Sequence, residues 1–291
     1  MLSAQPRSLA GRAGAPPTAL RPTVIRPPGR WPGLGLGELW RQRSICLVLA
    51  KRNLKVRYRQ TLLGAGWAVL QPMILMLVFT VFFGLLARLP SDGLPYPVFF
   101  FTALAIWQVA AKVLNEGSAS VVANAALVNR VYFPRTYFPV SVALASLVDL
   151  AFNGLALAIL LLAFGYAPSL PLIVVPVLVA LMYATSLGVA FWLSAINVAF
   201  RDVAVLLAFV TQLWFFSTPI IYPASIIPEQ YEALYYLNPM ALVVTALRWA
   251  LVGAPAPPLE AWPLGIGVVA LLLVSGYLFF RQREQTFSDV I

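Results

Sequence analysis

Long apolar runs recur along the chain, at about 65–87, 97–120, 140–164, 171–198, 203–222 and 262–280. Each is close to the roughly 20 residues that a helix needs to cross a hydrocarbon core about 30 Å thick. Inside lipid, backbone N–H and C=O groups find partners only within a helix or a closed barrel. Runs this long and continuous therefore predict an all-α integral membrane protein with six transmembrane helices. Composition agrees: 61% of the 291 residues are hydrophobic and 10% are charged, against about 25% charged in a soluble domain.

The cations set the orientation. Twelve of the 20 Lys and Arg lie in residues 1–60, where Glu38 is the one acid. With the amino terminus inside, Arg130, Arg135, Arg201, Arg281 and Arg283 join them, which places 17 cations on the cytosolic side. The outer side keeps Arg88 and Arg248, and Lys112 falls within the second run. An excess of this size follows the positive-inside rule and puts both termini in the cytosol. Because the basic stretch leads straight into a span, it reads as contact with anionic lipid rather than with nucleic acid. The chain has no His and one Cys, Cys46, so neither an internal disulfide nor a His/Cys metal site is expected.

Three regions follow from this pattern. Residues 1–36 are rich in Pro, Arg, Gly and Ala without periodicity, which predicts a disordered cytosolic tail. Residues 37–60 predict an amphipathic interfacial helix: Trp40, Leu47, Leu54 and Tyr58 share a face, flanked by cations that can reach phosphates. Residues 61–291 form the six-span transmembrane domain.

The connections between spans are unequal. Residues 88–96 and 165–170 are short outer turns. Residues 121–139, VVANAALVNRVYFPRTYFP, form a cytosolic connection that starts as a short helix. Pro134 and Pro139 then stop helix propagation and stiffen the backbone. This is more than a bare link needs, so it reads either as an interfacial loop with aromatic and basic anchors or as a docking surface for a cytosolic partner. Residues 223–261 are half apolar and broken by Pro228 and Pro239. The piece MALVVTALRWALVG is too short to cross and predicts a re-entrant helix or one lying flat on the outer surface.

Charges within spans are costly and mark functional candidates. Lys112 and Glu116 stand four apart on one helical face, where they can neutralise each other, while Asp149 has no obvious local partner. Phe99, Trp107, Tyr183, Trp192, Trp214, Phe215, Phe216 and Tyr222 lie in or at the ends of spans and are the channel-lining candidates. Aromatic faces stack on the apolar faces of sugar rings, and the same residues also serve core packing and interfacial belts. No catalytic constellation and no phosphate-binding G-x-x-x-x-G-K-[ST] loop occurs. Any ATP used must therefore be bound by another subunit.

Six stretches carry a family resemblance: RNLKVRYRQTLLGAGWAVLQP (52–72), ANAALVNRVYFPR (123–135), INVAFRDV (196–203), FFSTPIIYP (215–223), LNPMALVV (237–244) and the terminal QTFSDVI. In this order they resemble ABC-transporter permeases that export polysaccharides such as O-antigen, capsule or teichoic acid. The resemblance covers about residues 38–291. It implies a homodimer that pairs with two copies of an ATP-binding subunit, with ATP and Mg held there and no cofactor on this chain. It implies a lipid-linked glycan as substrate. It also implies that Leu127, Val128, Asn129, Arg130, Val131, Tyr132, Phe133, Pro134 and Arg135 carry a coupling helix. Arg201 and Asp202 would form a short cytosolic turn. Residues 223–261, with Tyr231, Tyr235 and Tyr236, would form outer re-entrant gate helices. Three other readings compete: a drug-exporting permease of the same plan, a membrane enzyme acting on lipid-linked sugars, and an ion-coupled transporter. The carboxylates Asp92, Glu116, Asp149 and Asp202 are too scattered in sequence to suggest a catalytic pair.

Overall fold

A computed structural model describes residues 35–58, 66–131, 133–167, 170–200 and 202–287. Tyr132, Arg201 and nearly all of the expected 1–36 tail lie outside the described residues. Among those described there is no β-strand.

The expected amino-terminal helix is two helices, α1 (Leu36–Arg41) and α2 (Arg43–Tyr58), with a turn at Gln42 between them. The membrane body follows. α3 (Trp67–Phe79) continues as a π-helix over Thr80–Leu86. α4 (Tyr96–Ala119) leads through a 3-10 turn, Val122–Asn124, to the six-residue α5 (Ala125–Arg130). α6 (Tyr137–Ala163) and α7 (Val175–Ala199) come next, α7 preceded by a 3-10 turn at Leu170–Val174. Then come α8 (Val203–Ser217), α9 (Glu229–Tyr235), α10 (Pro239–Val252) and α11 (Ala261–Arg283).

Among the described residues, five helical segments are long and apolar enough to cross a membrane: Trp67–Leu86, Tyr96–Ala119, Tyr137–Ala163, Pro171–Ala199 and Ala261–Thr286. The run expected to cross at 203–222 is a shorter helix. It ends at Ser217, and the chain then leaves helical geometry at Thr218, which is extended. α10 is likewise too short to cross, as its 14 residues predict.

α4 is the hub of the packing. It touches α3, α6, α7, α8 and α10, and Phe99, Phe100, Phe101, Leu104 and Val113 are fully enclosed. Small residues set the other close contact. A Cβ on Gly276 of α11 would fall 2.1 Å from the Gly188 carbonyl oxygen of α7, and one on Gly188 would meet the backbone of Leu272. Bare backbone on both helices lets their axes approach, which is how small residues drive association where lipid removes the hydrophobic effect. Gly84 plays the same part in the π-segment, where a Cβ would strike the Tyr96 ring. On the outside, Leu155, Ile159 and Leu162 of α6 and Leu271 and Val274 of α11 stand exposed, as lipid-facing side chains must.

The two ends of the bundle are built differently. α1, α2, α5 and the carboxy-terminal turn Glu284–Thr286 gather at one end around a second core of Cys46, Leu49, Val128, Phe133, Phe138, Phe280 and Phe287. α9 and α10 close the opposite end, α10 packing on α4, α7 and the 3-10 turn before α7.

Candidate functional site

A groove of about 350 Å³, lined by both polar and apolar side chains, lies between α3, α4 and α8. Its walls include Gln71 of α3, Gln108 of α4, and Thr211 and Gln212 of α8, beside Phe79, Trp107 and Phe215. Gln71 and Gln212 are exposed on the protein surface, and Gln108 is half-buried. Gln108 is halfway along α4, a helix long enough to span. Amides at such depth are costly against hydrocarbon and belong beside water or other polar groups. Four of the aromatic candidates form a connected row here. The Trp107 ring stands edge-on to Trp214 at 6.0 Å and to Phe215 at 5.9 Å, and Phe216 continues the row as Phe215's neighbour at 5.4 Å. The other candidates sit elsewhere. Tyr183 hydrogen-bonds Ser146 at 3.1 Å between α7 and α6. Trp192 donates to Ser275 at 3.1 Å and stacks on Phe279 between α7 and α11. Phe99 is enclosed at the start of α4, and Tyr222 donates to the Phe216 carbonyl at 3.0 Å.

At the α5 end, the connection folds as its sequence demands. α5 gives way to extended Val131, and Phe133 turns inward against Phe138 at 5.3 Å. Val128 and Phe133 are buried and Leu127 is half-buried, whereas Asn129, Arg130 and Val131 are exposed. Arg135 ties the segment to the carboxy-terminal turn: its amide donates to the Glu284 carboxylate and its guanidinium to the Glu284 carbonyl at 3.1 Å. Arg281 completes that tie, 2.7 Å from the other Glu284 oxygen. Pro134 is buried, and Asp202 is exposed at the start of α8.

Charges within the body pair differently from their sequence spacing. Lys112 does not meet Glu116; it lies 3.0 Å from Asp149, and Glu116 pairs with Arg57. Arg57 also reaches the second Asp149 oxygen at 2.6 Å. α1 and α2 lean across α6, with Tyr137 donating to the Leu39 carbonyl of α1 at 2.6 Å and Asn53 of α2 to Ser141 at 3.2 Å. This tilt brings Arg57 to Asp149, about three turns into α6. Two cations and two carboxylates thus join α2, α4 and α6 in a neutral cluster. Beside it, Arg52, Asn53, Arg57, Glu116 and Asn124 line a cleft of about 620 Å³. The stripe of Trp40 and Leu47 remains exposed, while Cys46, Leu49 and Ala50 face the protein. Burial pushes the Cys46 thiol up to about 11.

At the opposite end, Asn238 is a clip. Its side-chain oxygen caps α10 by accepting from the Met240 amide at 3.1 Å and also accepts from Trp214 at 2.8 Å. Its amide nitrogen donates to the Ser217 carbonyl and to Thr218, both at 3.1 Å. Arg248 of α10 is 3% exposed. It donates to the Phe99 carbonyl at 3.1 Å and the Ile220 carbonyl at 3.0 Å, with its guanidinium 3.6 Å from the centre of the Phe99 ring. Burial lowers its pKa, but from a value so high that the group stays charged. Tyr236 is buried, Tyr235 half-buried and Tyr231 exposed; burial raises the Tyr235 hydroxyl strongly.

Sequence reasoning missed Arg57, Arg248 and the three glutamines. The glutamines carried a readable signal, being amides inside apolar runs. The partners of Arg57 and Arg248 come from distant elements, and no spacing announces them.

These features define a helical membrane protein with a glutamine- and aromatic-lined groove along its helices and two differently built ends. The chain belongs to the ABC-2 type transporter family, whose model matches residues 45–252. It is 29% identical over 257 residues to the O-antigen export system permease protein RfbA of Myxococcus xanthus, covering 87% of this chain and 98% of that one. A Klebsiella pneumoniae protein of the same name is 26% identical over 256 residues, 85% of this chain and 95% of that protein. The polysialic acid transport protein KpsM of Escherichia coli is 23% identical over 246 residues, 84% of this chain and 95% of KpsM.

Proposed function

We propose that this chain is the membrane subunit of an ATP-driven exporter that carries a lipid-linked polysaccharide such as O-antigen across the cytoplasmic membrane. The observation that carries the reading is the groove of Gln71, Gln108 and Gln212 beside Trp107 and Phe215. Amides supply hydrogen bonds to sugar hydroxyls and aromatic faces supply apolar contact, without a tight site that would trap a moving polymer. The names of the relatives point to the same cargo.

The rest of the mechanism follows from the ends. The α5 end faces the cytosol, since it gathers the basic α2 and the terminal Arg281 and Arg283. α8 completes a sixth crossing together with the residues after Ser217, so both termini are cytosolic. Two copies of the chain face each other across the groove and pair with two ATP-binding subunits, which hold ATP and Mg. Asn129, Arg130 and Val131 dock on those subunits, with Asp202 at the neighbouring turn. Val128 and Phe133 anchor the docking segment to the core of α6 and α11, so a push on α5 moves the spans rather than the loop alone. Nucleotide state shifts the permease only through contacts that differ between its states, and this exposed face supplies them. α9 and α10 form the outer gate, joined to the groove by the Asn238–Trp214 bond.

The test is deletion of the gene with complementation. Loss of surface polysaccharide with lipid-linked polymer accumulating inside, both reversed by the intact chain, is expected. Unchanged surface polymer in the deletion strain overturns the reading.

A further inference from the structure

The backbone amide of Arg135 belongs to no helix: it follows Pro134 and comes one residue before Thr136, where α6 starts. A half-buried amide there needs an acceptor. Its partner is the carboxylate of Glu284, 149 residues further along the chain. α6 supplies no such group itself. Its first turn holds no acid, and Thr136 makes no side-chain cap bond. A carboxylate beside a helix start is favourable, because the unpaired amides there carry partial positive charge.

The surroundings of Glu284 hold it still. It is 6% exposed. One carboxylate oxygen accepts from the Arg135 amide, and the other lies 2.7 Å from Nη1 of Arg281. The Glu284 carbonyl accepts the Arg135 guanidinium at 3.1 Å. Phe280 and Phe287, both enclosed, meet edge-on at 5.3 Å on either side of it in sequence. Arg281 is hemmed in as well, since a Cβ on Gly35 would fall 2.6 Å from its Nη2. Val128 and Phe133 hold the docking segment by apolar contact, which has no preferred direction. The bonds to Glu284 are directional and charge-assisted, so they fix a pose.

We infer that Glu284 is a positioning residue of the exporter, setting the α5 docking segment against the end of α11 so that motion of the segment reaches the spans. The inference rests on the export reading and adds the residue that transmits the push. α11 passes the motion to α7, because the two meet backbone to backbone at Gly276 and Gly188. Without the tie, the segment keeps its covalent link to α6 and its apolar anchors. The ATP-binding subunits then turn over without moving the spans in step.

The test complements the deletion strain with variants of the full chain. Surface polymer is measured on the cells, and ATP hydrolysis on the transporter purified from the same membranes. Glu284→Ala lowers polymer exported relative to ATP hydrolysed by about tenfold or more, the scale of one lost bond to a charged group. The ATP-binding subunit still co-purifies, since Asn129, Arg130 and Val131 remain exposed. Glu284→Gln keeps an acceptor oxygen for the Arg135 amide and gives an intermediate ratio. Leu178→Ala removes an enclosed side chain near the start of α7, in the other core; it lowers the melting temperature and leaves the ratio at the parent value. A parent ratio in Glu284→Ala overturns the inference, and so does an equal loss of ratio in Leu178→Ala. If Glu284→Ala fails to assemble, Glu284→Gln decides alone, and a parent ratio in it overturns the inference. The deletion strain separates the two claims. An export defect there with unchanged ratios in the variants removes only the role of Glu284. Unchanged surface polymer removes the export reading and this role with it.

Discussion

Asp149 is the residue on which the α2–α6 contact turns. It is buried and meets Arg57 and Lys112 from two other helices. Removing one partner of a buried pair leaves uncompensated charge, which costs about 3–5 kcal/mol. Arg57 and Lys112 keep some access to solvent, so Asp149→Asn is expected near the low end of that range, read as a lower melting temperature in detergent. Melting equal to the parent chain would show the cluster to be ornamental. Cys46 makes a second prediction. Its raised pKa leaves almost no thiolate at pH 7, and it is 5% exposed, so maleimide should label it only after denaturation. Rapid labelling of the folded chain would place α2 elsewhere. The sequence made Lys112, Glu116 and Asp149 visible as costly charges, and their pairing was hidden for a physical reason. Spacing reports neighbours on one helix, and Lys112 was four residues from a plausible partner. Its actual partner is on α6, and the competitor for that carboxylate comes from α2.

Among the elements, the export reading gives the α5 segment and α10 separable jobs. On α5, Arg130→Glu is expected to reduce co-purification of the ATP-binding subunit and to abolish export while leaving membrane insertion and melting unchanged, because Arg130 is exposed. Phe133→Ala should instead lower stability, by about 3 kcal/mol or more as for a buried aromatic, since Phe133 is in the core around Phe138 and Phe280. The reverse pattern would mean that the loop faces the other way. At the α9–α10 end, Asn238→Ala removes a helix cap worth about 1 kcal/mol together with the Trp214 bond, and should impair export more than it impairs melting. Both elements were legible from sequence because their signals are local: two prolines after a short helix at 134 and 139, and a run at 240–253 too short to cross. The expected crossing at 203–222 was less so. Hydropathy continues past Ser217 through Ile220 and Ile221, but the backbone bends at Thr218 to meet Asn238 and Arg248, contacts that no apolar count records.

The whole molecule is a bundle around α4 whose two ends are built differently. One end collects the cations, the amino-terminal helices and the exposed face of α5. The other end caps the bundle with α9 and α10. The long apolar runs made this plan readable, because length and hydropathy decide what crosses a bilayer. The groove between them was not readable, since it needs α3, α4 and α8 side by side. It also carries the exporter reading, and a single free thiol makes it open to direct measurement. With buried Cys46 as the native background, cysteines placed singly at Gln71, Gln212 and Leu155 are exposed to a charged, membrane-impermeant thiol reagent while surface polymer is followed. Labelling of Gln71→Cys and Gln212→Cys with loss of export, and silence of Leu155→Cys on the lipid-facing side of α6, is the predicted result. Labelling confined to Leu155→Cys, or labelled groove positions with export intact, would contradict a water-lined path along α3, α4 and α8.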